Sequence, residues 1–232
     1  MKAPHIVYPN RCCVCGELQT GPCTLCENCS PLRLHPDGEG ARCPVCGLRK
    51  KRCVCGNRQY FETLTFPFYY EGRVRKALHR MKYREGTYLF APFAKEMTDA
   101  LRRRELTLTP DAVCFAPMHP RDRRRRGYDQ ARELAEAVGA ILELPVLPLL
   151  KKTEKTERQH ELRMLLRQGN LLGAFEPDKK RLPQIENKRI LLVDDIHTTG
   201  NTLNEAAKTL MIFGAARVDC LCAAATPEKD NE

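Results

Sequence analysis

No stretch of this 232-residue chain approaches the roughly 18 to 20 apolar residues that a membrane-spanning helix needs. The opening residues, Met1 to Pro9, hold no apolar run long enough for a secretory signal, so a cytoplasmic location is expected, where thiols stay reduced. Also missing is Gly-x4-Gly-Lys-Ser/Thr, which excludes a Walker-type phosphate loop. Cysteine is nearly absent beyond residue 55: ten of the thirteen lie before residue 56, and only Cys114, Cys220 and Cys222 follow. This asymmetry divides the chain into a small Cys-rich unit over residues 1–60 and a conventional globular unit over 61–232, for which 42% hydrophobic residues supply a core.

In a reducing compartment the cysteines read as zinc ligands rather than disulfides. Cys12-x2-Cys15, Cys26-x2-Cys29 and Cys43-x2-Cys46 can each form a knuckle that gives two thiolates to one ion, and two knuckles complete a tetrahedral site. Gly16, Gly47 and Gly56 directly follow knuckle cysteines, where positive φ lets the backbone wrap the metal. The spacing assigns Cys12, Cys15, Cys26 and Cys29 to one zinc, and Cys43, Cys46, Cys53 and Cys55 to a second. Cys13 and Cys23 are left over, and Cys23-x2-Cys26 is a rival knuckle. No histidine or carboxylate stands ready to leave a coordination position open, so both ions are expected to be structural.

The chain carries a formal net charge of +10, and residues 1–60 contribute nine Lys/Arg against four Asp/Glu. The run Arg49-Lys50-Lys51-Arg52 lies inside the second zinc loop. Part of that charge offsets the thiolates. A compact basic unit is also what a sequence-independent binder of phosphate backbones, such as single-stranded DNA, would present.

The most informative stretch is Arg189 to Thr202. Four aliphatic residues, Ile190 to Val193, read as a strand buried on both faces of a parallel sheet, and the strand is expected to stop at Asp194 and Asp195. Ile196, His197, Thr198, Thr199 and Gly200 then turn into a helix from Asn201 and Thr202, whose apolar stripe is Leu203, Ala206, Ala207, Leu210 and Met211. Free N–H groups and hydroxyls at that helix N-terminus suit a phosphate. One aspartate would suffice as a cap; a second adds repulsion and desolvation cost. The pair is placed to accept hydrogen bonds from the vicinal hydroxyls of a ribose 5-phosphate, or to hold its Mg²⁺ through water.

Elsewhere, Thr65 to Tyr70 reads as a short aromatic strand, Arg73 to Tyr83 and residues 88–104 as helices that could cover a pocket, and Ala112 to Ala116 as a second buried strand. After the Pro-flanked Met118-His119 comes a block of five arginines, Arg121 and Arg123 to Arg126, read as a diphosphate-binding loop, and then a helix with Leu134, Ala135, Val138 and Ile141 on one face. Residues 145–150 and 171–175 are expected to be strands, with a basic, lid-like connection between them, and Arg217 to Ala225 the last strand.

Val193-Asp-Asp-x-x-Thr-Thr-Gly-x-Thr202 resembles the phosphoribosyl-pyrophosphate (PRPP) loop of type I phosphoribosyltransferases. With the paired cysteine knuckles, Arg126-Gly-Tyr-Asp-Gln130 and Gln159-x2-Leu162-x4-Arg167-x2-Asn170-x3-Ala174-Phe175, nearly the whole chain resembles the ComF competence family. The resemblance implies a double zinc ribbon joined to a doubly wound, mainly parallel α/β domain that binds PRPP with Mg²⁺, and a part in handling incoming single-stranded DNA with the uptake machinery. It implies that Asp194 and Asp195 hold the ribose hydroxyls and act in catalysis, that Thr198 to Thr202 hold the 5-phosphate, and that Met118, His119, Arg121 and Arg126 meet the diphosphate. Tyr128-Asp129 stands where Phe-Asn is common in the family, placing a charge beside that loop. A transferase acting on a base or amine, a non-catalytic PRPP sensor and a plain zinc-dependent nucleic-acid module are the competing functions; the Asp-Asp-x-x-Thr-Thr-Gly loop counts against the last.

Overall fold

The computed structural model describes residues 11–19, 24–34, 43, 59–104, 109–152, 173–198 and 201–227. The elements run β1 (Thr63–Thr65), β2 (Phe68–Tyr69), α1 (Gly72–Arg80), α2 (Phe90–Arg103), β3 (Ala112–Phe115), α3 (Pro120–Arg126), α4 (Gln130–Leu142), β4 (Leu150–Lys152), β5 (Phe175–Pro177), β6 (Arg189–His197), α5 (Asn201–Ile212) and β7 (Arg217–Ala225). Among the described residues no helix is long and apolar enough to cross a membrane.

β6 pairs with β7 on one side and β3 on the other, and β1 and β2 both pair with β7, every pairing parallel. Thr65 opposite Leu221 and Phe68 opposite Ala224 keep one register, so β1 and β2 are a single edge strand interrupted at Pro67, which has no N–H to give the ladder. Alternate residues of the strands feed two cores. Val113, Phe115, Leu191, Val193 and Leu221 pack with α1, α2 and α4; Cys114, Ile190, Leu192 and Cys220 pack with Leu203, Ala206, Ala207 and Leu210 of α5. Burial on both faces is why these strands read as unbroken apolar runs rather than as alternating ones.

The expected α/β, doubly wound, mainly parallel architecture is the one observed, with local differences. β6 does not stop at the two aspartates: Asp194 pairs with Cys222, Ile196 with Ala224 and His197 with Ala225. Its ladder with β3, in contrast, ends at Phe115 opposite Val193, so from Asp194 onward β6 is covered by β7 alone. The five arginines are not in a loop but on α3, which Pro120 opens at its first turn and Gly127, at φ +87°, closes. Residues 145–150 form no regular strand. Val146 makes one parallel bridge to Val113, and Pro145 and Pro148 deny a ladder its donors, so pairing resumes only as β4 against β5, antiparallel and outside the main sheet. β5 covers Phe175–Pro177 rather than 171–175, and of the connection expected to form a lid, residues 151–170, Lys151 and Lys152 belong to β4 while the rest lies outside the described residues.

β3 leads to α4 on the first face, while its neighbour β6 leads to α5 on the second. Where adjacent strands of a parallel sheet send their helices to opposite faces, a crevice opens beyond their carboxyl ends. Among the described residues, 116–119, 194–198 and 201–202 border it.

Candidate functional site

Two clusters carry chemistry. In the first, Arg11 and Leu18 form an antiparallel bridge, and the turn between them holds Cys12 and Cys15. The Gly16 N–H donates to Cys12 O at 2.9 Å with Gly16 at φ +85°, the left-handed turn that lets the chain fold back around the sulfurs. A second turn, closed by Ser30 N–H to Cys26 O at 2.8 Å, brings up Cys26 and Cys29. The four sulfurs lie within 4.8 Å of one another, with Cys15 Sγ and Cys26 Sγ 3.6 Å apart. Tetrahedral coordination at a Zn–S distance of about 2.3 Å requires sulfurs about 3.8 Å apart, so the set fits a metal such as zinc.

Burial pushes the Cys12 thiol up, but N–H donors of Cys15, Cys26 and Val14 outweigh it and bring the group down to about 7, within reach of the thiolate a metal requires. Cys13 behaves in the opposite way: burial first, then the neighbouring Cys12, drive its pKa upward, and it packs as a neutral thiol beside Val14 and Leu25. It is not one of the four sulfurs that cluster within 4.8 Å of one another. Cys43 is buried against the second core, whereas Cys23, Cys46, Cys53 and Cys55, and the basic run Arg49 to Arg52, lie outside the described residues.

The cysteine turns are fastened to the helices beneath them. Arg80 Nη2 at the end of α1 donates to Val14 O at 2.6 Å. Glu96 of α2, fully buried, accepts from the Thr24 hydroxyl and from Arg33 Nε and Nη2, both at 2.7 Å. Thr24 in turn accepts the Cys13 N–H through its carbonyl at 2.9 Å.

The second cluster lies at the crevice. Asp194 Oδ1 accepts from Asp195 N–H at 2.9 Å, and Asp195 Oδ1 from Ile196 N–H at 2.8 Å. Burial, and then the charge of Asp195, hold the Asp194 carboxyl well above the usual carboxylate range. Burial also raises Asp195, although Lys82 and Arg126 pull against the rise. His197 is buried, and burial lowers its pKa, keeping the imidazole neutral. Its carbonyl accepts from Thr226 N–H at 2.8 Å, yet His197 Nδ1 and Thr226 Oγ1, and Nε2 of Gln130 at the start of α4, are buried with no hydrogen-bond partner among the described residues. Thr198 is exposed, as are Asn201 and Thr202 in the first turn of α5; Thr199 and Gly200 lie outside the described residues.

Across the crevice, the loop after β3 is held by Asp129. This carboxylate is buried; Oδ2 accepts from Met118 N–H at 2.8 Å, and Oδ1 caps α4 through Arg132 N–H at 3.4 Å. The charge expected to lie beside the loop is therefore used within it, as a brace. His119 caps α3, its Nδ1 accepting from Arg121 N–H at 3.2 Å, and Arg121 itself is exposed. Arg126 donates to Gln130 Oε1 at 2.9 Å and reaches Asp195 through its field. Tyr128 donates its hydroxyl to Met81 O at 2.6 Å and sets its ring edge-on to Phe90, tying the end of α1 to this loop.

Thus the fold brings Asp194, Asp195, Ile196, His197 and Thr198 to one side of the crevice, Met118, His119 and Arg126 to the other, and leaves Arg121 pointing to solvent from α3. Lys82 and Asp129 also belong here and were not among the expected site residues. Lys82 looked like one more cation of a surface helix, and a capping Asp gives no hint in sequence that its second oxygen holds a loop eleven residues back. Paired carboxylates, two cations and unfilled buried donors and acceptors suit a hydroxylated anion or a hard cation bound through oxygen.

A phosphoribosyl transferase domain model matches residues 124–232. The DNA utilization protein YhgH of Escherichia coli (strain K12) is 28% identical over 94% of this chain and 98% of its own. Competence protein F of Haemophilus influenzae is 29% identical over 90% of this chain and 93% of its own. Among solved structures, one described as the allosteric regulatory enzyme of purine biosynthesis superposes with a TM-score of 0.41 at 20% identity, covering 62% of this chain and 30% of that one.

Proposed function

We propose that this chain, which is similar to competence protein F and to YhgH and matches a phosphoribosyl transferase domain model over residues 124–232, binds PRPP with Mg²⁺ in the crevice between β3 and β6. In this reading it acts in the cytoplasm on incoming single-stranded DNA, in transformation or in the use of DNA. The observation that carries it is the pair Asp194–Asp195, buried and half-buried at the open flank of β6 with one backbone donor each and with the charges of Lys82 and Arg126 acting on Asp195. A structural cap does not need two desolvated carboxylates, whereas a ligand with vicinal hydroxyls satisfies both.

In the same reading Asp194 and Asp195 accept from the ribose hydroxyls. The turn from Thr198 through Thr199 and Gly200 to Asn201 and Thr202 offers hydroxyls and helix N–H groups to the 5-phosphate. Met118, His119, Arg121 and Arg126 meet the diphosphate. Mg²⁺, held by the aspartates through water, would neutralise charge on a departing diphosphate. The 1–60 unit binds two structural zinc ions, the second on Cys43, Cys46, Cys53 and Cys55, and its basic run Arg49 to Arg52 contacts DNA phosphates; residues 61–232 form the PRPP-binding domain.

Asp195→Asn tests the reading. Loss of a charge-assisted hydrogen bond, on the order of 1.5 to 3 kcal/mol, weakens PRPP binding roughly ten- to a hundredfold in calorimetry with Mg²⁺ while the fold survives. Equal affinity for variant and wild type, or no affinity in either, would make the aspartates merely part of a strand. Release of diphosphate with candidate acceptors, single-stranded DNA among them, then separates a transferase from a sensor.

A further inference from the structure

From residue 72 to residue 84 the chain carries six Lys/Arg and no acid. α1 turns Val74, Ala77 and Leu78 into the core, and its outer face holds Arg73, Arg75, Lys76, His79 and Arg80, all exposed. Arg80 is partly engaged with Val14 O; Arg75 lies 6.0 Å from the Tyr70 ring. Beyond the helix, Tyr83 is 59% exposed and Tyr88 45%, the two most exposed aromatic side chains among the described residues. The Tyr83 ring stands 5.5 Å from that of His79, so the helix face runs directly into aromatic surface. The path continues to Lys82, whose charge is felt at Asp195, and to Tyr128, whose hydroxyl donates to Met81 O beside the crevice loop.

An exposed cationic helix is ordinarily just a solvated face. What distinguishes this one is the combination: a helix face of cations with no acid on it, the nearest acids Glu71 and Glu85 standing at its two borders, flat rings at one end, and a lead into the crevice. Lysine and arginine follow a phosphate backbone, and aromatic faces stack unpaired bases of any identity. A duplex keeps its bases out of reach of such rings. An anionic membrane would match the charge, but the outer face of α1 has no aliphatic or large apolar side chain to insert.

We propose that α1 and the turn that follows it form a binding surface for single-stranded nucleic acid, with Arg73 and Lys76 on the phosphates and Tyr83 and Tyr88 stacked on bases, directed toward the crevice. This rests on the reading of the protein as a handler of single strands, but assigns the strand to a surface other than the basic run at Arg49 to Arg52.

Fluorescence anisotropy of the full-length protein with a labelled oligothymidylate tests it. Arg73→Ala with Lys76→Ala is expected to weaken binding about tenfold and to reduce the log–log salt slope by about 1.4, two phosphates at about 0.7 each. Tyr83→Ala is expected to cost about tenfold at every salt concentration, and Tyr83→Phe, which keeps the ring, almost nothing. PRPP affinity of these variants stays at the wild-type value. Wild-type affinity in all of them, with loss on neutralising Arg49 to Arg52, overturns this inference and leaves the proposed function standing. No binding of oligothymidylate by the wild type sinks both its DNA aspect and this surface, while PRPP binding is judged separately by Asp195→Asn. Tighter binding to duplex, or to vesicles rich in phosphatidylserine, than to the single strand also overturns it.

Discussion

The four-cysteine centre and the aspartate crevice are both polar sites built at the ends of short turns, and they treat their polar groups in opposite ways. Around the sulfurs, N–H donors of the same turns stabilise the Cys12 thiolate, Arg80 and Glu96 fasten the turns from outside, and Cys13 fills the space behind them. At the crevice, two carboxylates are raised by burial, and His197, Thr226 and Gln130 carry buried atoms with no partner among the described residues. A site whose task is to hold a fold together satisfies itself once its metal is in place. The distinction is one of degree: Arg103, under the charges of Arg33 and Glu96, also buries Nε and Nη2 with no partner among the described residues, whereas the crevice adds two carboxylates raised by burial, at a cost to the resting state.

The contrast breaks most visibly at the metal. If the four-cysteine site holds a structural metal, Cys12→Ser removes a ligand whose binding energy is folding energy, so the variant should lose zinc and aggregate, while elemental analysis of the wild type is expected to give about two ions. Retention of zinc and of a cooperative melt would show that the sulfurs are passengers.

A smaller effect sharpens the anchoring. Glu96→Ala leaves the Arg33 guanidinium and the Thr24 hydroxyl facing a buried gap, and should cost roughly 2–3 kcal/mol in denaturant unfolding; an effect below 0.5 kcal/mol would place the cysteine turns outside the cooperative unit.

The smallest expected effect has the opposite sign. Asp194 has its pKa raised in the folded protein, so between the ordinary value of 3.8 and that raised value the folded state binds the extra proton and stability falls as pH rises. Asp194→Asn removes that loss. The ligand-free variant should melt a few degrees higher than wild type at neutral pH, and the gain should fade as pH is brought down to about 3.8. A variant that melts lower at neutral pH would mean that the carboxylate is satisfied where it stands.

Much of this was legible beforehand because parallel strands buried on both faces are written as aliphatic runs: Ile190 to Val193 and Arg217 to Ala225 needed no more than that. Paired Cys-x2-Cys spacing likewise pointed to the knuckles. What escaped detection depended on contacts between distant segments. That β6 continues to His197 follows from β7 covering its far end, and Asp194 and Asp195 look locally like a stop. Pro120 and Gly127 delimit a helix that five arginines had made look like a loop. Asp129 bracing Met118, and Lys82 facing Asp195, are set by where α1 and α4 dock, and no period within either helix encodes it.

The edge pairing of β1 and β2 with β7 also bears on how the molecule is made. Thr63 Oγ1 donates to Asp219 Oδ1 at 2.6 Å across 156 residues. At roughly 5–20 residues per second, the ribosome takes on the order of ten to thirty seconds to deliver the second partner after the first. Until β3 and β6 have been made, late in that interval, the cysteine turns, complete by Cys29, have at most α1 and α2 to rest on, and these helices have no sheet beneath them. A metal taken by the four cysteines would therefore be loaded while the rest is still unmade. The sheet closes in one late step, and a chain released before β7 has emerged would present β1, β2 and one flank of β6 as open edges, ready to pair with another copy.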